Sequence, residues 1–181
     1  MTSLSMYDGA TVSQIAMTVQ DLRTLYDYNY WANAKLFELL AKLTPEEFVR
    51  SVAGSYGSIR NTLVHMMSAE GGCLDRCGGP KRGAPLKPED FLALEAITTY
   101  WAAQETKLRT FLSGLSEDDL LRRFEFTVPL FSFTRVMAVG DVLHYAAIHS
   151  IHHRGQVMLL FRALGHTPEN IDMLFYYSET E

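Results

Sequence analysis

The sequence predicts an all-α protein, a four-helix bundle with a short irregular or β-ribbon excursion between the third and fourth long helices. Apolar residues recur at helical spacing in four long segments, and polar turns separate these segments. One intervening stretch, residues 123–136, alternates between aromatic and polar residues around Pro129, as an extended ribbon does. The 181 residues are enough for one domain with a substantial core. We therefore expect a single domain over residues 1–181, with residues 1–12 as a loose N-terminal arm.

Helix starts are marked by residues that can cap them. The four long helices are predicted at residues 13–43, 59–77, 91–112 and 141–165. A short connecting helix should follow the first, because Thr44 can cap it, Pro45 suits its first position and Glu47 completes a capping box. Ser58 is placed to cap the second long helix, and Ser116 to cap a turn after the third. The caps therefore divide the chain into short, well-marked segments.

Glycine, proline and aromatic residues mark the breaks between these helices. The pair Gly71–Gly72 should weaken or kink the second helix. Residues 78–88, GGPKRGAPLKP, form the clearest loop, and Gly165 stops the fourth helix. The tail carries an aromatic patch, Phe175–Tyr177. Together with the aromatic side chains of the ribbon, this patch exceeds what one small core can hold, so we expect a homodimer.

Two histidines on the fourth helix have the geometry of a shared metal site. His149 and His153 lie four residues apart, an advance of about 400° along an α-helix, so their rings point the same way. Gln156 lies on the same face. Apolar residues throughout the segment predict a largely buried helix, and buried neutral imidazoles need partners. A divalent ion is the partner that this spacing favours.

A third ligand is required, because zinc and similar ions take at least three protein ligands. His65 is the candidate, since it lies in the apolar run LVHMM, where a buried histidine needs a reason. The alternative for a lone histidine is a core imidazole bonded to a carbonyl group. Three imidazoles leave a coordination position open, which is typical of catalytic rather than structural sites.

The other titratable residues near this cluster have weaker cases. Glu70, five residues beyond His65, is a candidate acid or base beside the ion or, equally, an exposed carboxylate. His144 is a second candidate proton handler, with packing as its alternative. We expect His152 on the surface and His166, just after the fourth helix, in solvent.

Composition excludes several classes of partner. The chain is 48% hydrophobic and carries a formal charge of −5 without a basic stripe, so we expect no nucleic-acid partner. Its apolar runs fall short of the roughly 20 residues that cross a bilayer, and its start lacks the pattern of a secretory signal. Cys73 and Cys77 do not make a disulfide framework and are expected to be inert. We expect a cytoplasmic protein whose substrate is a small molecule.

The run HSIHHRGQVMLLFRALG, with LVHMMSAE and YNYWAN earlier in the chain, resembles the DinB-like (YfiT-like) metal-binding four-helix bundles. The resemblance extends from about Asp21 to Tyr177. It implies metal ligands at His65, His149 and His153, the same three that the spacing favours. It also implies dimers, and activity as transferases or isomerases that use bacillithiol, mycothiol or glutathione in several relatives. Many other relatives have no known reaction.

Two functions are therefore open for this chain. The first is a metal-dependent enzyme, a thiol-dependent transferase or isomerase or a hydrolase, whose open ion activates water or a low-molecular-weight thiol. The second is a non-catalytic metal-binding stress-response protein. Zinc and nickel are the first candidates for the ion, and copper, iron and manganese remain open.

Overall fold

Four long helices and one antiparallel hairpin make up the fold. A computed structural model describes residues 17–128 and 131–180. The long helices are α1 (Val19–Leu40), α3 (Ile59–Arg76), α4 (Leu94–Ser113) and α6 (Val139–Ala163). The short helices are α2 (Pro45–Val49), α5 (Glu117–Leu121) and α7 (Met173–Thr180), and the strands are β1 (Arg123–Val128) and β2 (Phe133–Ala138). The predicted four-helix bundle with a ribbon before the last long helix is confirmed.

The order of the helices around the bundle differs from their order in the chain. α1 packs against α4 and α6, and α3 packs against the same two helices. Consecutive long helices α1 and α3 therefore lie on a diagonal, as do α4 and α6. The connection through α2 and the connection through α5 and the hairpin each cross the end of the bundle. This arrangement places α3 beside α6, the two helices that carry the predicted ligands.

Helix caps account for the boundaries. The side chains of Thr18, Thr44, Ser58 and Ser116 each accept a hydrogen bond from a backbone N–H in the first turn of the next helix. Three of these caps were predicted, and Thr18 is additional. α4 begins at Leu94, later than expected, because a 3₁₀ turn occupies Pro88–Asp90. α6 begins at Val139, slightly earlier than expected, directly after β2.

The second helix does not break at its glycines. α3 runs through Gly71 and Gly72, contrary to the weakening that their low helix propensity suggests. A Cβ atom at Gly71 would lie 2.6 Å from the side-chain oxygen of Gln104 on α4. A side chain at Gly71 would therefore displace the Gln104 side chain from its hydrogen bonds to Glu70 and the Met67 carbonyl, so glycine suits this contact.

Some parts of the chain differ from the sequence expectations or lie outside the described residues. The arm over residues 1–12 and Pro129 lie outside the described residues. α6 is less buried than predicted, since Ile148, Ile151 and Leu159 are exposed on its outer face. α7 was not anticipated as a helix. Across the described ranges, no helix combines the length and the hydropathy that a membrane span requires.

Candidate metal centre

Three imidazoles converge where α3 meets α6. The Nε2 atom of His149 lies 3.2 Å from that of His65 and 3.1 Å from that of His153. One ring nitrogen from each of the three histidines lies within 4.8 Å of the others. The i, i+4 spacing brings His149 and His153 together, and the packing of α3 against α6 adds His65. The structure therefore brings together all three histidines selected from the sequence.

The distances suit a small divalent ion. Two nitrogens bound at about 2.0–2.1 Å to one tetrahedral zinc ion stand roughly 3.3 Å apart. The two short nitrogen–nitrogen distances in the triad, 3.1 and 3.2 Å, are close to that value. Within residues 17–128 and 131–180, no fourth histidine, cysteine or carboxylate joins the group. The donor set thus fits an ion that keeps a coordination position for another molecule.

Gln156 sets the orientation of the His153 ring. Its side-chain Oε1 lies 2.6 Å from Nδ1 of His153 and accepts a second hydrogen bond, of 2.8 Å, from the Ser55 hydroxyl. A carbonyl oxygen can only accept, so Nδ1 carries the proton and Nε2 keeps its lone pair toward the other imidazoles. Gln156 is thus a positioning residue for the triad. Its place on the ligand face was visible in the sequence.

Tyr56 covers the triad and was not found by sequence reasoning. Its ring stacks on His65 with centroids 3.9 Å apart, and its hydroxyl lies 3.0 Å from His65 Nε2. The loop that presents it has left-handed backbone at Gly54, Ser55 and Gly57, with φ of 109°, 47° and 83°. Glycine adopts such values without strain, which explains the GSYG sequence here. The only sequence signal was a tyrosine within the segment GSYG, directly before α3.

The three imidazoles are held neutral. Burial, together with the neighbouring His153, lowers the pKa of His65 to about 4. Burial and the other histidines lower the pKa of His149 to about 4. Burial also lowers the pKa of His153, although its hydrogen bond with Gln156 opposes this. At neutral pH all three rings therefore offer lone pairs to a metal ion.

These lowered pKa values predict that the metal-free protein loses stability in mild acid. In the unfolded chain His65 and His149 bind protons near pH 6.5, but in the folded chain only near pH 4. Between these values the unfolded state holds more protons, so the free energy of unfolding falls as the pH falls from 6.5 to 4.5. Urea unfolding across this range should show the dependence of the free energy of unfolding on pH, and His149→Gln should make this dependence weaker. An equal dependence in the variant would contradict the assignment.

Glu70 lies in the core rather than in solvent, and its role as a proton handler stays a prediction. The side chain is 2% exposed, so the exposed-carboxylate alternative is wrong. Oε1 accepts hydrogen bonds from Tyr30 on α1 (3.2 Å) and from Trp101 and Gln104 on α4 (3.1 and 2.8 Å). Burial raises the pKa of Glu70, while these donors and Arg154 of α6 oppose the rise. The carboxylate therefore joins α3 to α1 and α4.

The remaining histidines are spread around α6. His152 is exposed as predicted, with Nε2 3.0 Å from the side-chain nitrogen of Gln156. His144 is half-buried and lies about 140° around the helix from His149; its role as a proton handler stays a prediction. His166 is half-buried rather than fully in solvent as expected. Its ring stacks on Phe161 with centroids 4.7 Å apart, and its Nε2 atom lies 3.2 Å from the carboxylate of Glu47 on α2.

The two cysteines are buried free thiols. Burial raises the pKa of Cys73 and of Cys77 to about 12, so both stay protonated and unreactive at neutral pH. This agrees with the expectation that they are inert.

Fold and site together define a helical bundle with a three-histidine cluster between two of its helices. The profile of the DinB family matches residues 13–181. Protein DinB of Bacillus subtilis (strain 168) is 25% identical over 169 residues, which cover 87% of this chain and 95% of that protein. A crystal structure of a DinB-like protein from Bacillus cereus ATCC 10987 superposes with a TM-score of 0.64 at 20% identity, covering 86% of this chain and 99% of the other.

The chain belongs to the DinB family, as its histidine–arginine–glycine–glutamine run indicated. The solved relative supports the fold alone. Its sequence identity of 20% is too low to carry information about ligands or chemistry. The function must therefore be argued from the residues of this chain.

Proposed function

We propose that this protein is a metal-dependent enzyme in which His65, His149 and His153 bind one divalent ion and leave a coordination position open to a substrate. The observation that carries the proposal is the convergence of three neutral imidazole nitrogens without a fourth histidine, cysteine or carboxylate among the described residues. When bound, the ion supplies Lewis acidity that lowers the pKa of a coordinated thiol or water. Zinc and nickel are the ions that we expect first, and iron and manganese are alternatives.

The side chains around the triad have separate tasks in this proposal. Gln156 keeps the His153 lone pair on the ligand side, because its carbonyl oxygen accepts a hydrogen bond from the Nδ1–H group. Tyr56 shields His65 from solvent by stacking on it, and its hydroxyl faces the same space as the three lone pairs. A phenol in this position can donate a hydrogen bond to an anionic group of the substrate. Tyr56 is thus our candidate for orienting the substrate beside the ion.

The reaction class that we favour is transfer of a low-molecular-weight thiol, with hydrolysis as the second reaction. A thiol held as thiolate is a strong nucleophile at neutral pH. The chain's own cysteines are buried and protonated, so the nucleophile must come from a bound molecule. In the alternative, a non-catalytic stress-response protein, the same histidines hold an ion that serves stability or sensing.

Activity assays separate these functions. The zinc- and nickel-loaded proteins should transfer 2-mercaptoethanol, cysteine or glutathione to 1-chloro-2,4-dinitrobenzene, or hydrolyse 4-nitrophenyl acetate, faster than the His149→Ala variant does. Tyr56→Phe, which keeps the stacked ring, should slow turnover more than it weakens metal binding. A loaded protein with no turnover above the variant and no binding of any thiol would favour the non-catalytic alternative.

Metal removal should lower stability without unfolding the bundle. The buried apolar core runs through all four long helices, independently of the triad. An ion at 100 times its Kd adds about 2.7 kcal/mol of stability. For a chain of this size that corresponds to a fall in Tm of roughly 5–10 °C on chelation. Circular dichroism with and without a chelator measures it, and loss of the helical signal at 25 °C would instead make the ion structural.

We further propose a homodimer that uses the outer face of α7. Tyr176 packs inward on Tyr28 and Trp31, with ring centroids 6.0 and 5.9 Å away. Leu174 nevertheless remains 75% exposed, and Phe175 is exposed beside it. Neighbouring apolar side chains left in water favour association of two copies. This face contains none of the triad, so the interface would leave the ion open to substrate.

Light scattering during size-exclusion chromatography tests the dimer. The wild-type protein should have twice the 20.5 kDa mass of one chain, and Leu174→Ser with Phe175→Ser should shift it to the monomer. Leu121→Ser, at an exposed leucine on α5, is the matched control and should leave the mass unchanged. A monomeric wild-type protein at micromolar concentration rules the dimer out.

A further inference from the structure

A pocket of about 230 Å³ lies between the hairpin and the beginning of α6. Its lining consists of Phe126, Val128, Phe131, Phe133, Met137 and Tyr145. The hairpin register explains this composition, because Val128 pairs with Phe133, and side chains two residues apart on a strand share a face. Among the residues that the structure describes, the lining contains no charged side chain, and the Tyr145 hydroxyl is its one polar side-chain group.

The pocket adjoins the triad through Tyr145. Tyr145 lies one helical turn before His149 on α6, and the two ring centroids are 5.6 Å apart. On its other side the Tyr145 ring contacts Phe126, at 6.1 Å between centroids. One side chain therefore separates the apolar pocket from a candidate metal ligand. A small molecule in the pocket would therefore contact Tyr145, the side chain that lies next to His149.

We propose that this pocket binds the apolar body of the substrate, a small neutral molecule with an aromatic ring or a short alkyl chain, and directs its polar reactive end toward the triad. This inference rests on the proposed function, whose substrate class it names. The pocket is somewhat larger than the cavity of about 150 Å³ that binds benzene in a protein interior, so a substituted ring fits. The uncharged side chains of the lining disfavour burial of a charged group among them. The guanidinium groups of Arg76 and Arg135, 5.6 and 5.7 Å from the ring centroids of Phe126 and Phe133, additionally repel a cation.

The shape of the pocket favours a small molecule over a second copy of the chain. Phe126 at its floor is buried, whereas Phe131 at its rim is 68% exposed. A concave apolar site with one polar group at the end nearest the triad is the usual form of a small-molecule site. We assign the dimer interface instead to the outer face of α7, where Leu174 and Phe175 are exposed.

The experiment uses two probes. Benzyl alcohol, titrated into the metal-free protein and followed by NMR, tests the pocket alone. Benzyl mercaptan and 2-mercaptoethanol, titrated into the cobalt-loaded protein, test whether a ligand spans pocket and ion, since a cobalt–thiolate bond gives a charge-transfer band. We expect benzyl mercaptan to bind about tenfold more tightly than 2-mercaptoethanol, a difference of roughly 1.4 kcal/mol.

Two variants of the hairpin complete the test. Phe131→Ser should weaken both benzyl probes about fivefold or more, because it removes an apolar wall, and should leave 2-mercaptoethanol unchanged. Val136→Ser is the matched control, because Val136 is exposed on the opposite face of β2. It should leave the affinities for the benzyl probes and for 2-mercaptoethanol unchanged. Both are surface positions, so the fold should be retained, which circular dichroism verifies.

Each outcome bears on a different claim. Equal affinity for the two thiols, or insensitivity of benzyl alcohol to Phe131→Ser, overturns the pocket and leaves the metal site standing. Binding of benzyl alcohol that depends on Phe131, without any thiol band on cobalt, supports the pocket and overturns the open coordination position of the proposed function. A wild-type dimer that Phe131→Ser converts to a monomer would assign the hairpin to a second copy and contradict the small-molecule site.

Discussion

Replacing His149 by alanine should abolish tight metal binding. His149 is the central member of the triad, with its Nε2 atom 3.2 Å from that of His65 and 3.1 Å from that of His153. Without His149, only the imidazoles of His65 and His153 remain, and neither keeps its short contact with the ring of His149. Two protein ligands are fewer than a stable zinc site uses. We expect metal affinity to fall by more than about 100-fold, beyond the 10–100-fold typical of losing a group that only orients a ligand. Elemental analysis and competition with a chelator measure the change.

A graded series of variants makes this prediction specific. Gln156→Ala should reduce affinity by about 10–100-fold, because it removes the partner that orients His153. His166→Ala, at the far end of α6 against Phe161, should leave affinity unchanged. If His149→Ala binds metal as tightly as the wild-type protein does, the three-histidine centre is wrong.

Glu70→Leu should cause the largest loss of stability of the changes considered. The substitution leaves the buried donors of Tyr30, Trp101 and Gln104 without their acceptor. Each unsatisfied donor costs about 1–3 kcal/mol, so we expect the three together to lower the free energy of unfolding by about 3–9 kcal/mol. That is a large part of the roughly 5–15 kcal/mol that stabilises a typical domain. Urea denaturation measures it, and a loss below about 1 kcal/mol would contradict this role.

Glu70→Gln is the matched variant. It keeps the size of the side chain and one acceptor oxygen, so it should cost only about 1–2 kcal/mol. Because Glu70 bonds to α1 and α4 rather than to the triad, the folded variant should keep its metal affinity. A stable, metal-loaded Glu70→Gln protein that had lost turnover would return Glu70 to the role of proton handler.

The sequence predicted the bundle and the triad for the same reason, since both depend on helical periodicity. Spacing alone aligns His149 with His153. The partner of this pair on another helix was also accessible, because His65 interrupts an apolar run. The order of the helices around the bundle was not accessible, since it depends on which apolar faces pack best.

The features that the sequence did not reveal depend on tertiary contacts. Spacing from His65 suggested a carboxylate near the site, but five residues turn Glu70 by about 140°, toward α1 and α4. Tyr56 reaches His65 only because the loop before α3 adopts left-handed backbone at Ser55 as well as at two glycines. The apolar pocket requires the register of the hairpin and its position against Tyr145, neither of which a local pattern specifies.

Anomalous diffraction from crystals of protein purified without added metal or an affinity tag tests the central claim most directly. Data on both sides of the zinc and nickel absorption edges identify and locate the ion in one experiment. We expect a single anomalous peak per chain, about 2.0–2.1 Å from the Nε2 atoms of His65, His149 and His153 if the ion is zinc, with a non-protein ligand completing its coordination. A peak bound by other residues, or His65 turned away from the pair on α6, would contradict this claim.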